Sequence, residues 1–230
     1  MGYSLAIFVI LIIILSTLRS RLVYELSGAS LLVFGSANPG IAIYSLFVLP
    51  GTIIHELSHW IVAELLLVRT GPITIFPQEK RLGSVATVKS DPFRGFLIGL
   101  APFITGLIIL MILGQLLSLG WGSYNWWQLA LIIYGIMVMG NSMMISKSDR
   151  RTWPFILIIF LLIFILIFKY YPSLFIIHNP ASPAGGSSFI KILSLLNKIL
   201  GVTAGLNLVM IGGLFATRRF IEKLTKRRIV

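Results

Sequence analysis

Runs of about 20 apolar residues constrain this chain more than any other feature of its sequence. Apolar residues make up 57% of the 230 positions and charged residues only 11%, and the mean hydropathy is +0.96. A soluble fold of this size cannot bury so much apolar surface, whereas a bilayer core accepts helices of about 20 apolar residues. The sequence therefore predicts an all-α, polytopic, integral membrane protein with a single transmembrane domain over residues 1–230.

The apolar runs predict about six transmembrane helices. They are expected at Tyr3–Leu18, Ile41–Val68, Phe96–Leu119, Trp126–Ile145, Phe155–Phe168 and Ile192–Thr217. Residues 22–35 are apolar but rich in Ser and Gly and short for a span, so they are open to three interpretations: a seventh crossing, a re-entrant segment or an interfacial segment. Residues 70–92 carry Ile and Val among Thr, Pro and Gly without helical periodicity, which predicts a short β-hairpin at the membrane surface.

The distribution of Lys and Arg predicts the orientation. Five occur in residues 69–94, three in residues 147–151 and six from Arg218 onward, but none in residues 118–125. Such residues are enriched in cytoplasmic loops, so we expect a multi-pass protein of a prokaryotic cell membrane with a cytoplasmic C-terminus. Residues 218–230 would form a basic cytoplasmic tail that attracts anionic lipid. These loops and this tail explain the net charge of +12, and no nucleic-acid partner is expected.

The chain contains no cysteine, which excludes disulfides, Cys-ligated zinc and a thiol nucleophile. Its most chemically specific pattern is His55-Glu56-Leu57-Ser58-His59, which lies inside the second apolar run. Two histidines four positions apart differ by about 40° around a helix, so both can bind one metal ion. Ionisable groups in a bilayer cost about 2.5–3.5 kcal/mol each on insertion scales and are rarely kept without a function. The other explanation is a set of interhelical hydrogen bonds and an ion pair of Glu56 with a lysine.

A catalytic zinc ion is usually held by three protein ligands, with a fourth position open to water. The candidates for the third ligand are Glu64, Asp91, Asp149 and His178. Glu64 would face away from the histidines on the same helix, and His178 belongs to the opposite membrane face. Asp91 has the sequence context of a helix N-cap. Asp149 follows the fourth span on the histidine side, where an ion pair with a neighbouring arginine is its other explanation.

The motif resembles the site-2 protease family of intramembrane zinc metalloproteases. The resemblance covers roughly residues 41–151, which would form the catalytic core: the His55-Glu56-x-x-His59 helix, a following extended segment, and a later stretch from Asn141 to Asp149. Ala63 matches a small residue of that family. The chain departs from it at Ser58, where glycine is common, and by lacking the family's usual Asn-Pro-Asp-Gly or Leu-Asp-Gly sequence at the aspartate. The resemblance implies that His55, His59 and Asp149 bind zinc and that Glu56 is the catalytic base.

The expected activity is cleavage of a peptide bond in or near a transmembrane segment of a protein or peptide substrate. An unwound substrate could add as a strand to the edge at Ile73 and Ile75, and Asn141 is a further candidate for substrate binding. The alternative is a membrane transporter or proton relay that uses the His/Glu cluster without proteolysis. A third hypothesis is an inactive scaffold for membrane partners, which the intact motif disfavours. No pattern in the sequence predicts an oligomeric state.

Overall fold

The computed structural model describes residues 2–74, 84–87, 90–120, 122–144 and 183–225, together with residues 146, 149, 153–154, 156, 158 and 162. The described part is mostly helical. It contains the helices α1 (Gly2–Phe34), α2 (Asn38–Phe47), α3 (Leu49–Leu65), α4 (Pro92–Leu119), α5 (Trp126–Ser142) and α6 (Pro183–Thr225), and the strands β1 (Thr70–Thr74) and β2 (Ser84–Thr87).

Three of the described helices are long and apolar enough to cross a membrane: α1, α4 and the part of α6 from Ile190 to Leu224. A fourth candidate is the pair formed by α2 and α3, whose axes differ by 71°. At 17 residues, α5 is slightly shorter than a typical span. The predicted span at Phe155–Phe168 lies outside the described residues except for isolated positions, so the prediction of six spans is confirmed only as a helical protein with several candidate spans.

Helix α1 is much longer than its sequence suggested. Its 33 residues extend about 50 Å at 1.5 Å per residue, which exceeds the roughly 30 Å of a bilayer core. Residues 22–34 therefore continue the first helix. They form neither a re-entrant segment nor a separate crossing, so the seventh span proposed there is wrong.

The second apolar run is broken at Val48, two residues before Pro50. Pro50 occupies the first turn of α3, where its missing N–H would have no intrahelical partner in any case. Gly40 on α2 lies directly against the backbone of Leu26 on α1. The contacts of Tyr44 and Val48 with Leu22 show that α2 runs back along α1 in the opposite direction.

Helices α1 and α6 lie side by side and run in the same direction. Near their N-terminal ends, the Asn197 amide donates to the backbone carbonyl of Ser4 at 2.8 Å. Near the other end, the Arg218 guanidinium pairs with the Glu25 carboxylate at 2.7 Å. Both contacts join positions 193 residues apart in sequence, which only parallel helices with equal spacing allow.

The segment predicted as a basic tail from Arg218 onward begins within α6, which continues to Thr225. The Arg218 side chain is 7% exposed and pairs with Glu25 and Glu222, so it is not available to lipid. A buried guanidinium requires such partners because an unpaired charge is costly away from water. Arg219 and Lys223 are exposed on the last turns of α6, and residues 226–230, which carry the other three basic side chains, lie outside the described part.

Strands β1 and β2 form a two-stranded antiparallel sheet in which Ile73 is opposite Val85. The residues that connect the strands lie outside the described part. The sheet follows α3 directly and contacts it, so it lies at the end of the molecule where α3 ends and α4 begins. Its predicted position at a membrane surface stays a prediction.

Candidate metal centre

The two histidines of the motif lie on one face of α3, with ring centroids 4.9 Å apart. Each ring is fixed by a backbone carbonyl from a different helix. The Nδ1 of His55 donates to the carbonyl of Ser142 on α5 at 2.7 Å, and the Nδ1 of His59 donates to the carbonyl of Ile98 on α4 at 2.7 Å. Because a carbonyl can only accept, each Nδ1 carries a proton, so Nε2 is the nitrogen of each ring that can bind a metal ion.

Asp149 completes the group from the turn that follows α5. Its carboxylate oxygens lie 3.7 Å from Nε2 of His55 and 3.4 Å from Nε2 of His59. The backbone N–H of Ser146 donates to the carboxylate at 2.8 Å and fixes its orientation. Burial disfavours the charged carboxylate, but the two imidazoles and the Ser146 hydrogen bonds outweigh it and lower the pKa of Asp149 to about 2. The carboxylate is therefore ionised at neutral pH, as a metal ligand must be.

The donor atoms of His55, His59 and Asp149 all lie within 4.8 Å of one another. Two donors bound to one tetrahedral zinc ion at about 2.05 Å are separated by roughly 3.4 Å. The two measured nitrogen-to-oxygen distances are close to this value. The three side chains could therefore hold a single metal ion.

Two glycines bring the surrounding backbone close enough to form this group. A Cβ atom at Gly99 on α4 would overlap the carbonyl oxygen of Asp149, so only glycine allows the turn to approach α4 so closely. A Cβ atom at Gly51 on α3 would overlap the Ser142 side chain, so the start of α3 can contact the end of α5. This second contact places the Ser142 carbonyl within reach of His55.

The other candidates for the third ligand are not part of the group. Glu64 is exposed and accepts a hydrogen bond from Thr70 at 2.6 Å. Asp91 caps the N-terminus of α4 by accepting from the backbone N–H groups of Phe93 and Arg94, which confirms its predicted role. His178 lies outside the described residues, as do both arginines next to Asp149.

Two of the three predicted substrate contacts belong to the described part of the chain. Ile73 belongs to β1, and Ile75 lies outside the described residues. Asn141 is buried near the end of α5, where its amide is hydrogen-bonded to Asn207 and to the carbonyl of Met137. Its role in substrate binding stays a prediction.

Glu56 is buried, at 6% exposed, in the same turn of α3 as the two ligand candidates. Ala63, one turn beyond His59, is fully buried against Val68 and Ile98, so a small side chain there lets α3 approach α4. The sequence reading missed the carbonyl of Ile98, the contact of Gly99 with Asp149, and Asn207. Each depends on which helices become neighbours.

Comparison of the chain with protein-family models, curated proteins and solved structures gives no match. The chemistry of the site follows from its own residues. Two neutral imidazole nitrogens and one carboxylate oxygen form a ligand set for a divalent transition metal. A second carboxylate, that of Glu56, is buried in the same turn of α3.

Proposed function

We propose that this protein is an intramembrane zinc metalloprotease of the site-2 type, which cleaves a peptide bond in or near a transmembrane segment. The observation that carries the proposal is the convergence of His55, His59 and Asp149, with both histidine rings oriented by backbone carbonyls. Glu56, between the two histidines, supplies the one further group that metal-dependent peptide hydrolysis requires.

The presence of Glu56 favours zinc over iron as the bound metal. Two histidines and one carboxylate also bind iron(II) in mononuclear oxygenases, so the ligand set alone does not choose the metal. A glutamate next to the first histidine is what a hydrolytic site needs, because hydrolysis requires a base to accept a proton from water. An oxygenase has no comparable need for a buried carboxylate at this position.

In the proposed reaction, Glu56 transfers the proton, and the carbonyls of Ser142 and Ile98 orient the histidines. Bound zinc would supply an activated water and polarise the scissile carbonyl. The Glu56 carboxylate accepts the proton of that water as the new C–O bond forms. It then delivers the proton to the amide nitrogen as the C–N bond breaks, which releases a carboxylic acid and an amine. The carbonyls of Ser142 and Ile98 keep the two imidazoles in the orientation that this step requires.

The substrate we propose is an extended segment of a membrane protein. A transmembrane helix hides its carbonyl groups in hydrogen bonds, so it must be locally unwound before hydrolysis. Strand β1 begins five residues after the end of α3, which carries the histidines. An unwound segment could add to its edge near Ile73, where backbone hydrogen bonds would hold it in extended form. If proline replacements at Ile73 and Ile75 leave the cleavage rate unchanged, this role is refuted.

The helix directions support a five-crossing topology in place of six. In a chain that alternates, six spans would make the first and last antiparallel, yet α1 and α6 are parallel. If α2 and α3 enter and leave on the same side, five crossings result: α1, α4, α5, the predicted span at Phe155–Phe168, and α6. Gly40 near the start of α2 lies beside Leu26, at the end of α1 that pairs with Arg218. His59 toward the end of α3 lies beside Ile98 near the start of α4.

In this topology the metal group would lie near the side that carries the basic segments. The described elements next to these segments, which are the end of α3, the start of α4 and the end of α6, lie toward the end of the molecule where α1 terminates. By the enrichment of Lys and Arg in cytoplasmic loops, this end and the C-terminus are cytoplasmic and the N-terminus is on the opposite side. Arg19 and Arg21 then lie at the cytoplasmic boundary, because α1 extends beyond the bilayer.

The direct test is cleavage of a membrane-spanning reporter peptide by purified protein in proteoliposomes. We expect cleavage that is abolished by a zinc chelator and restored by adding zinc. A protein that binds zinc but leaves a panel of such reporters intact, while moving protons or metal ions across the vesicle membrane, would support the transporter alternative instead.

A further inference from the structure

A buried polar contact joins α5 to α6 deep inside the apolar helix bundle. Asn141 and Asn207 are 2% and 0% exposed. Their side-chain amides bond reciprocally: Asn141 donates to Asn207 at 3.0 Å, and Asn207 donates back at 3.1 Å. Asn141 also donates to the carbonyl of Met137 at 2.8 Å. The amide of Asn141 is therefore fully occupied and holds one turn of α5 against α6.

This contact lies directly next to the metal group. Asn141 precedes Ser142, whose carbonyl orients His55. One turn earlier on α6, Thr203 is fully buried, and a Cβ atom at Gly140 would overlap its methyl group. The last turn of α5 is thus fixed from the α6 side by hydrogen bonds and close packing, and from the α3 side by His55.

We propose that Asn207 is a positioning residue for the metal centre, acting through Asn141 and the Ser142 carbonyl on His55. The inference rests on the proposed function, since it assumes that His55 binds zinc. Asn207 lies outside residues 41–151, so α6 takes part in the site although it supplies no ligand. Partners that orient a metal ligand typically change metal affinity by about 10- to 100-fold when they are removed.

The physical reason is that the pair allows only one position of α5 relative to α6. Leucine at position 207 would be similar in size but could neither donate to nor accept from Asn141. The freed amide would be left unpaired in an apolar interior, and the last turn of α5 would shift to find another partner. Because the Ser142 carbonyl moves with that turn, the orientation of the His55 ring would no longer be fixed.

The experiment measures zinc affinity, by competition with a chelating dye, in purified protein. Asn207→Leu is compared with Asn197→Leu, a matched control on the same helix. Asn197 also donates to another helix, but to Ser4 at the opposite end of the molecule. We expect Asn207→Leu to weaken zinc binding by about 10-fold or more and Asn197→Leu to leave it within about twofold of the wild type.

A double variant keeps the test decisive if Asn207→Leu folds poorly. Replacing both partners by apolar residues removes the unpaired amide and can restore stability. In Asn141→Leu/Asn207→Leu we expect thermal stability to recover while zinc affinity stays reduced. Recovery of both would mean that the pair is only structural and would overturn the inference.

Failure of this inference and failure of the proposed function give different results. Zinc affinity in folded Asn207→Leu within twofold of a zinc-binding wild type would overturn this inference alone. A wild-type protein that binds no zinc would overturn the proposed function, and this inference with it.

Discussion

Each histidine of the metal group has one ring nitrogen bonded to a backbone carbonyl and the other directed at Asp149. This division of roles follows from elementary chemistry, because a neutral imidazole has one donor and one acceptor. The His55-x-x-x-His59 spacing in the sequence was enough to predict that both rings share one face of a helix. It could not identify the carbonyls of Ser142 and Ile98, since these are 87 and 39 residues away in sequence from the histidines that they bond.

The roles of Asp91 and Asp149 also differ in whether neighbouring residues in the sequence predict them. The Ser-Asp-Pro sequence around Asp91 predicted an N-cap, and the structure confirms it because capping involves only neighbouring residues. The residues next to Asp149 in the sequence do not indicate that it is a ligand. Its carboxylate reaches the histidines only because Gly99 lets the turn approach α4.

The prediction for Glu56 separates catalysis from metal binding. Glu56→Gln keeps the size of the side chain but removes the proton acceptor, so we expect zinc content to be unchanged and the cleavage rate to fall by about 10²- to 10⁴-fold. Cleavage of a reporter peptide and zinc content are measured on the same preparation. Wild-type cleavage by this variant would show that Glu56 is not the base.

Helix boundaries were the least predictable feature at the scale of elements. Arg19 and Arg21 mark an apparent end of the first span in sequence, but the helix continues to Phe34 because Arg21 and Arg218 pair with Glu25 on either side of it. The charges are compensated by α6, so they need not end the helix. The break at Val48 lies two residues before Pro50, whose ring fixes the local backbone geometry and favours the first turn of a helix.

The close contact between α4 and the turn before Asp149 leads to a prediction about glycine. Gly99→Ala should push the turn away, because the added Cβ would overlap the carbonyl of Asp149, and we expect zinc affinity to fall by about 10-fold. The matched control is Gly201→Ala on α6, where an added Cβ meets no atom within 4 Å. Alanine there should leave zinc affinity unchanged and stabilise the helix slightly, by roughly 0.5–1 kcal/mol.

Equal zinc affinity in Gly99→Ala and the wild type, measured by dye competition, would contradict the role given to this contact. It would mean that Asp149 does not depend on the close approach to α4.

The directions of the helices decide how the whole molecule is placed in a membrane. Apolar runs in the sequence predicted spans but not which of them are neighbours. The parallel arrangement of α1 and α6 is a property of the assembled bundle. In the five-crossing topology that we propose, the helix that carries the histidines belongs to a segment that enters and leaves on one side, and the metal group is reached from the side of the basic loops.

The absence of cysteine makes this topology directly testable. Single cysteines replace the exposed residues Tyr3, Asn38 and Arg69, and a membrane-impermeant maleimide is added to intact cells and to inverted vesicles. We expect Tyr3→Cys to label from outside, and both Asn38→Cys and Arg69→Cys to label from inside. Labelling of Asn38→Cys and Arg69→Cys from opposite sides would favour a complete crossing by the histidine-containing segment and a six-span topology.

The central claim is that His55, His59 and Asp149 hold one zinc ion, and the most direct measurement is metal content per chain in protein purified without chelators. All transition metals are measured by mass spectrometry in the wild type, His59→Ala, Asp149→Ala and Asp91→Ala. We expect about one zinc per chain in the wild type and in Asp91→Ala, which loses only a helix cap, and little zinc in the other two. Folded wild-type protein without bound metal, or full zinc content in Asp149→Ala, would contradict the claim.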